Sequence, residues 1–237
     1  MQEALIEKIK SRGYWRVLIR PTQYKKDLIS SLSECRRFIE ESKVSLRGWD
    51  YPHIERRGEG LVNGDDWVES STDWSQYLEH WRFYQSGQFA HLFNCKEDWF
   101  DSNEVEISYP RRRSSLPDAF LEPVWTVYRT TEIYEFAARL AAKGFFGNSL
   151  SISVELHKMK GRTLFLTDPA RGPLHGDYTS RIDDISFQKT IPVEAMLASP
   201  SDFALENLLY FFERFNWDRI PIDVLKNDQR QLLEQRW

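Results

Sequence analysis

The chain has 237 residues, a formal net charge of −4 at pH 7 and 41% hydrophobic residues, which suits a globular protein with a substantial core. This charge excludes the broad basic surface of a nonspecific nucleic-acid binder, and no apolar run approaches the roughly 20 residues that a bilayer span requires. The two cysteines cannot build a disulfide framework, and the charged N-terminal segment lacks a secretory apolar region. The sequence therefore predicts a cytoplasmic protein with free thiols and no membrane partner.

Large aromatic residues are unusually frequent, with nine Trp, ten Tyr and fifteen Phe. They dominate protein cores, but Trp and Tyr are also favoured at interfaces because each combines an apolar body with a polar group. The composition therefore favours a recognition surface on this molecule.

The first third of the chain predicts a helix, a strand and a second helix, followed by irregular structure. Residues 2–12 place apolar side chains at helical spacing, and residues 14–20 alternate in the manner of a half-buried strand. The capping-box sequence Ser31-Leu32-Ser33-Glu34 predicts the start of the second helix. Residues 45–75 interleave tryptophan with glycine and proline, which indicates short strands and long turns.

Residues 77–95 predict a long, aromatic-rich β-hairpin with a two-residue turn at Ser86-Gly87. In the register that this turn sets, one face is apolar and predicts core, and it carries Trp81, Phe83, Ala90 and Leu92. The other face mixes aromatic and cationic residues and suits either a covering helix or a ligand; it carries His80, Arg82, Tyr84, Phe89, His91 and Phe93.

The second half of the chain alternates helices and strands. An amphipathic helix is predicted over residues 131–143, with Glu132 in its first turn, and the strand over residues 150–158 is expected to pair with residues 162–167 across a turn. Further elements follow in the sequence: a polar loop at 168–178, a strand near 185–193, a mostly apolar helix over 203–215 and an amphipathic helix from Pro221.

This order of elements predicts an α+β fold with a mixed, mainly antiparallel sheet, a central aromatic hairpin and about five packing helices. We expect a single domain over residues 1–237, with a subdivision into residues 1–105 and 120–237 as the alternative.

Two motifs in the sequence suggest a catalytic or cofactor site, and each has a simpler explanation. Gly58-Glu59-Gly60 resembles a dinucleotide-binding pattern, but acidic residues follow it and would repel phosphate. A metal-dependent nuclease could use Asp118 and Glu155, but the position two residues beyond Glu155 is His157 and not lysine, so Glu155 fits the wet face of a strand.

His80, His91 and Cys95 share one face of the hairpin in the predicted register, which suggests a zinc site. A fourth ligand would have to come from elsewhere, and histidines bonded within an aromatic sheet are commoner. We therefore predict no metal and no cofactor, and the sequence contains no assembled catalytic site.

Two further segments are candidate binding residues. The basic run of Arg111, Arg112 and Arg113 could grip phosphates, and the mixed hairpin face could stack bases beside it. The loop at 168–178 concentrates Arg171, His175 and Asp177 among glycines and prolines, and loops on a rigid scaffold commonly carry function.

The preferred interpretation is a non-catalytic interaction module, a subunit or regulatory partner in a larger assembly, with a protein partner on the mixed hairpin face. The first alternative is a single-stranded nucleic-acid-binding protein that uses the basic run and the hairpin. The second is a metal-dependent hydrolase or nuclease built on Glu155 and the loop at 168–178, so enzymatic activity is left open.

Overall fold

The computed structural model describes residues 2–56, 60–99 and 117–235. The α-helices of this part of the chain are α1 (Gln2–Lys10), α2 (Leu32–Ser42), α3 (Pro123–Ala141), α4 (Val193–Ala198), α5 (Pro200–Arg214) and α6 (Ile222–Leu233). The strands are β1 (Tyr14–Pro21), β2 (Val62–Asn63), β3 (Trp67–Trp74), β4 (Tyr77–Tyr84), β5 (Phe89–Asn94), β6 (Phe120–Leu121), β7 (Ser149–His157), β8 (Thr163–Leu164) and β9 (Ile185–Pro192).

Seven of the strands form one antiparallel sheet in the order β2-β3-β4-β5-β1-β7-β9. β1 lies between β5 and β7, so strands from both halves of the chain build the same sheet. The short strands β6 and β8 pair in parallel beside it. The predicted α+β class with a mainly antiparallel sheet is confirmed.

Helices cover both faces of the aromatic hairpin. On one face α3 packs against it, with the Phe136 ring 4.7 Å from the Phe89 ring. On the other face α1 places Leu5 and Ile9 in a small apolar cluster with Leu78. None of the described helices combines the length and hydropathy needed to cross a membrane.

The register of the hairpin differs from the prediction by one residue. Trp81 pairs with His91 and Phe83 with Phe89, because the loop has three residues and not two. The Tyr84 N–H donates to the Gln88 carbonyl at 2.9 Å, and Gly87 closes the turn at φ +76°. A glycine in the left-handed region at the third loop position is typical of this loop type.

A shift of one residue moves one strand's side chains to the opposite face relative to the other strand. The core face consists of Trp81 and Phe83 from β4 with Phe89, His91 and Phe93 from β5, and all of them are buried. The predicted grouping of Ala90 and Leu92 with Trp81 was therefore wrong.

The helix α3 begins at Pro123, eight residues before the predicted start at residue 131. Its N-cap is Glu122, whose side chain accepts a hydrogen bond from the Trp125 N–H at 2.6 Å. Glu132 consequently lies in the middle of the helix, fully buried, and not in the first turn.

The predicted pairing of residues 150–158 with 162–167 is also wrong. β9 lies beside β7, whereas β8 turns away to pair with β6. The buried Arg162 guanidinium directs this path, because it binds the Asp98 carboxylate at 2.7 Å and the Phe120 carbonyl at 2.7 Å.

Candidate functional site

The structure separates the residues predicted for the mixed hairpin face. Phe89 and His91 are buried in the core, whereas His80 and Arg82 lie on the opposite face. Burial lowers the pKa of His80 to about 4, helped by the nearby Arg82 charge. Arg82 donates to the Glu69 carboxylate at 2.6 Å, so these side chains hold the hairpin to its neighbours.

The other predicted binding residues lie at separate places. Arg171 and His175 line a cavity at the end of the molecule that contains α6, and Asp177 is exposed on the same loop. Tyr84 packs against the Trp67 ring at the end of the hairpin. Arg111, Arg112 and Arg113 lie outside the described residues.

The residues considered for metal or nuclease chemistry have structural partners. Glu155 is half-buried on β7, 3.2 Å from Arg16 and 3.0 Å from His157. Ser151 and Ser153 on the same face are buried, so this face is less exposed than the alternation of the strand predicted. Cys95 is buried, and His80 points away from His91 across the sheet. Within the described ranges, no group of three or more His, Cys, Asp or Glu side chains is placed to hold a metal ion.

A different cleft brings together aromatic and cationic side chains. This aromatic cleft has a volume of about 270 Å³ and lies between the start of β4 and the end of β5, the segment around Arg47 and the first turns of α3. Its aromatic and charged lining consists of Trp15, Arg47, Trp49, Tyr77, Phe93, Lys96, Glu97, Trp125, Tyr128 and Arg129.

One wall of the aromatic cleft is a stack of nearly parallel rings. Trp49 lies between His53, at a centroid distance of 3.8 Å, and Tyr77, at 4.1 Å, with interplanar angles of 16° and 17°. Trp74 lies beside this stack, 6.0 Å from Trp49 and 5.9 Å from Tyr77, and is 48% exposed. Both faces of the Trp49 ring are therefore occupied, and the exposed ring of the cleft lining is Trp125, at 39%.

The facing wall carries Trp125 from the first turn of α3, and cations lie between the two walls. The Lys96 ammonium group is 4.6 Å from the centroid of the Trp125 ring and 4.9 Å from that of Tyr77. The Arg47 guanidinium lies 4.9 Å from the Trp125 ring centroid on the same wall. Cations at these distances are attracted to the negative face of an aromatic ring.

A buried carboxylate next to the cleft holds two arginine side chains of its lining. Glu132, with a fully buried side chain, accepts hydrogen bonds from Arg47 at 2.8 and 2.7 Å and lies 3.5 Å from Arg129. Two guanidinium groups share this one carboxylate. Buried ion pairs contribute little net stability compared with apolar packing, so such an arrangement in a cleft is a candidate functional feature.

A second buried acid, Glu79, supports the ring stack. It accepts hydrogen bonds from the Trp49 indole at 2.8 Å and from His91 at 3.0 Å. Burial raises the pKa of Glu79, but the hydrogen bond and charge of His91 and the charge of Arg129 outweigh it and hold that pKa below its ordinary value. Burial lowers the pKa of His91, and its other ring nitrogen lies 3.3 Å from the Tyr51 hydroxyl.

The aromatic cleft carries three cations, and three acids lie in its lining or next to it. Arg47, Lys96 and Arg129 provide three cations, against the two carboxylates of Glu132 and Glu79. Glu97 is a third acid at the cleft, and burial raises its pKa above the ordinary value. Cations beside aromatic rings suit a planar ligand that carries a negative charge.

Sequence reasoning missed this cleft because its parts come from five separate segments. The sequence pattern places Trp49 in an irregular stretch and Glu132 in the first turn of a helix. The one available signal was a charged residue, Glu132, on the apolar stripe of a helix that also carries Ile133 and Phe136. A buried acid requires a partner, and that requirement points to a distant arginine.

Comparisons of the chain with models of known protein families, with curated proteins and with solved structures each found no match.

Proposed function

We propose that this protein is a non-catalytic binding module whose aromatic cleft takes a nucleotide, with the base against the exposed Trp125 ring and the phosphate on the cations. The observation that carries the proposal is the convergence of Trp49, Tyr77 and Trp125 with Arg47 and Lys96 in one cleft. Stacking on aromatic rings beside cations is a general way to hold nucleotides in single strands.

The geometry supports a planar, anionic ligand over an apolar one. The cleft volume of about 270 Å³ accommodates a group the size of a base and its sugar and not an extended polymer. Glu132 holds Arg47 in a fixed position before any ligand arrives, so little side-chain entropy is lost on binding. The ligand is a free nucleotide or one nucleotide of a single strand.

Binding assays with two ligands separate these sources. Calorimetry with adenosine monophosphate, and fluorescence anisotropy with a labelled single-stranded oligonucleotide, are performed at low salt. Binding of both, with mutual competition, indicates that the cleft reads one nucleotide; binding of the oligonucleotide alone indicates a strand. Absence of binding by either ligand would refute the proposal.

Matched variants locate the binding. Trp125→Ala removes a wall that is 39% exposed, so the fold tolerates the change, and we expect affinity to fall at least about fivefold, since a base–aromatic stack contributes roughly 1–3 kcal/mol. Tyr24→Ala removes a ring that is 81% exposed and lies outside the cleft, so affinity should not change. Equal losses in both variants would show that the cleft is not the binding site.

The hairpin surface predicted for a protein partner is covered by α1 and α3, and no observation on the described residues favours a protein over a nucleotide. A protein partner stays a prediction, and light scattering of the purified chain with candidate partners tests it.

A further inference from the structure

A second, larger cavity lies on the other side of α3. It has a volume of about 700 Å³ and is bounded by the first turns of α3, the loop at 166–178 and the start of α6. Volumes of 300–1,000 Å³ are typical of small-molecule sites. Because Trp125 and Tyr128 of α3 line the aromatic cleft whereas Val124 and Val127 line this cavity, the two are separate sites.

The walls of this cavity are largely apolar. They consist of Val124, Val127, Leu166, Leu174, Tyr178 and Trp217. The Trp217 ring stacks on Tyr178 at a centroid distance of 5.3 Å, which makes that wall rigid. Val224, at the start of α6, also lines the cavity and is 48% exposed, so apolar surface continues to the mouth.

One arginine in the cavity is held in a fixed orientation. The two terminal nitrogens of Arg171 each donate to the Asp228 carboxylate at 2.8 Å, and the Asp228 side chain is 4% exposed. A guanidinium has five N–H groups, and this bidentate contact uses two of them. The Nε group lies 3.7 Å from Asp168, and the second N–H of each terminal nitrogen is left for a further acceptor.

The lining of the cavity carries more positive than negative charge. Arg219 lines it together with Arg171 and His175, and neither Arg219 nor His175 has an ion-pair partner among the described residues. Asp228 is the one acid of the lining, and it is already bound to Arg171. Arg219, a cation of the lining without an ion-pair partner in the described part of the chain, is complementary to a single negative charge on an apolar body.

We infer that this cavity binds a monocarboxylic acid with an apolar body, of the medium-chain fatty-acid class. The carboxylate meets Arg219 and the free N–H groups of Arg171, and the hydrocarbon chain lies against Val127, Leu174 and Trp217. The inference does not rest on nucleotide binding, because no residue that lines this cavity also lines the aromatic cleft.

The test is calorimetry with hexanoate, octanoate and decanoate, below their micelle concentrations, with decanol as the uncharged comparison. Each added CH₂ contributes about 0.8 kcal/mol on burial, so affinity should rise about fourfold per CH₂. Decanol should bind at least tenfold more weakly than decanoate. Affinity that does not depend on chain length, or equal affinity for decanol, would overturn the inference.

Three variants place the ligand in the cavity. Arg219→Gln removes the unpaired charge and should weaken decanoate binding about tenfold, whereas Arg230→Gln, an exposed change on α6 outside the cavity, should leave it unchanged. Leu174→Trp fills the cavity from a half-buried loop position and should abolish binding, with circular dichroism confirming the fold. Unaltered decanoate affinity in a folded Leu174→Trp protein would also overturn the inference.

Discussion

Glu132 determines how the cations of the aromatic cleft are arranged. Its side chain is fully buried and is bonded to Arg47 and close to Arg129. Removing one member of a buried ion pair leaves the other charge without compensation, which commonly costs 3–5 kcal/mol. Exposed pairs contribute far less, since water solvates both charges after the partner is lost.

We therefore predict that Glu132→Gln lowers the free energy of unfolding by about 3 kcal/mol or more in urea titrations. The control is Glu206→Gln, which breaks the exposed pair with Lys189 and should cost less than about 1 kcal/mol. Similar costs for the two variants would contradict the importance of the buried contact.

Glu122 predicts a pH effect on stability. Burial raises the pKa of this N-cap carboxyl to about 8, whereas the unfolded chain has the ordinary value of 4.5. Between these two values the native state binds more protons than the unfolded state, so the free energy of unfolding from this group falls as pH rises from about 4.5 to about 8.

Glu122→Gln retains an oxygen that can accept from the Trp125 N–H but does not titrate. We predict that its stability relative to the natural protein increases with pH across this window, measured by urea unfolding at pH 5, 6.5 and 8. The exposed substitution Glu213→Gln should show no such trend. A constant difference at all three pH values would indicate that Glu122 is ionised in the native state.

At the scale of elements, the hairpin loop illustrates how a local detail sets the position of a whole strand. Gly87 has φ +76°, and a Cβ at this position would lie 3.0 Å from the Phe145 ring and 3.1 Å from Pro21. Gly144 has a similar φ of +82°, but a Cβ there would meet no atom within 4 Å. Alanine at Gly144 therefore measures backbone strain alone, whereas alanine at Gly87 adds the collision of its Cβ with neighbouring side chains.

We predict that Gly144→Ala costs about 1 kcal/mol, from the left-handed backbone alone, and that Gly87→Ala costs at least about 1 kcal/mol more. Thermal unfolding followed by circular dichroism measures both. A larger loss for Gly144→Ala would show that a Cβ at position 87 does not collide with Phe145 and Pro21.

The elements themselves could largely be predicted from periodicity, whereas their pairing could not. β1, α2 and α6 follow their apolar patterns and caps, including the bond from the Glu34 N–H to the Ser31 hydroxyl at 3.2 Å. The start of α3 was missed because Trp125 and Arg129 face a cleft and interrupt the apolar stripe. The hairpin register was missed because Ser86-Gly87 suits both a two-residue and a three-residue loop.

At the scale of the whole molecule, the two faces of the central sheet differ in what covers them. The helical face encloses the core and, at its margin, the aromatic cleft, where Lys96 from the segment after β5 meets Trp125 of α3. On the other face α1 packs over β4 and β5, with Leu5 and Ile9 against Leu78, and Glu155 is half-buried on β7. The cleft required the tertiary fold, because Arg47 and Glu132 are 85 residues apart in the chain.

The most direct measurement of the central claim is photo-cross-linking with 8-azidoadenosine monophosphate at low salt, followed by peptide mapping. We predict adducts on the peptides that contain Trp49, Tyr77 or Trp125, suppressed by excess adenosine monophosphate and weakened in Trp125→Ala. Adducts confined to peptides outside the aromatic cleft, such as the one containing Tyr24, or adducts that adenosine monophosphate does not suppress, would contradict the proposed nucleotide site.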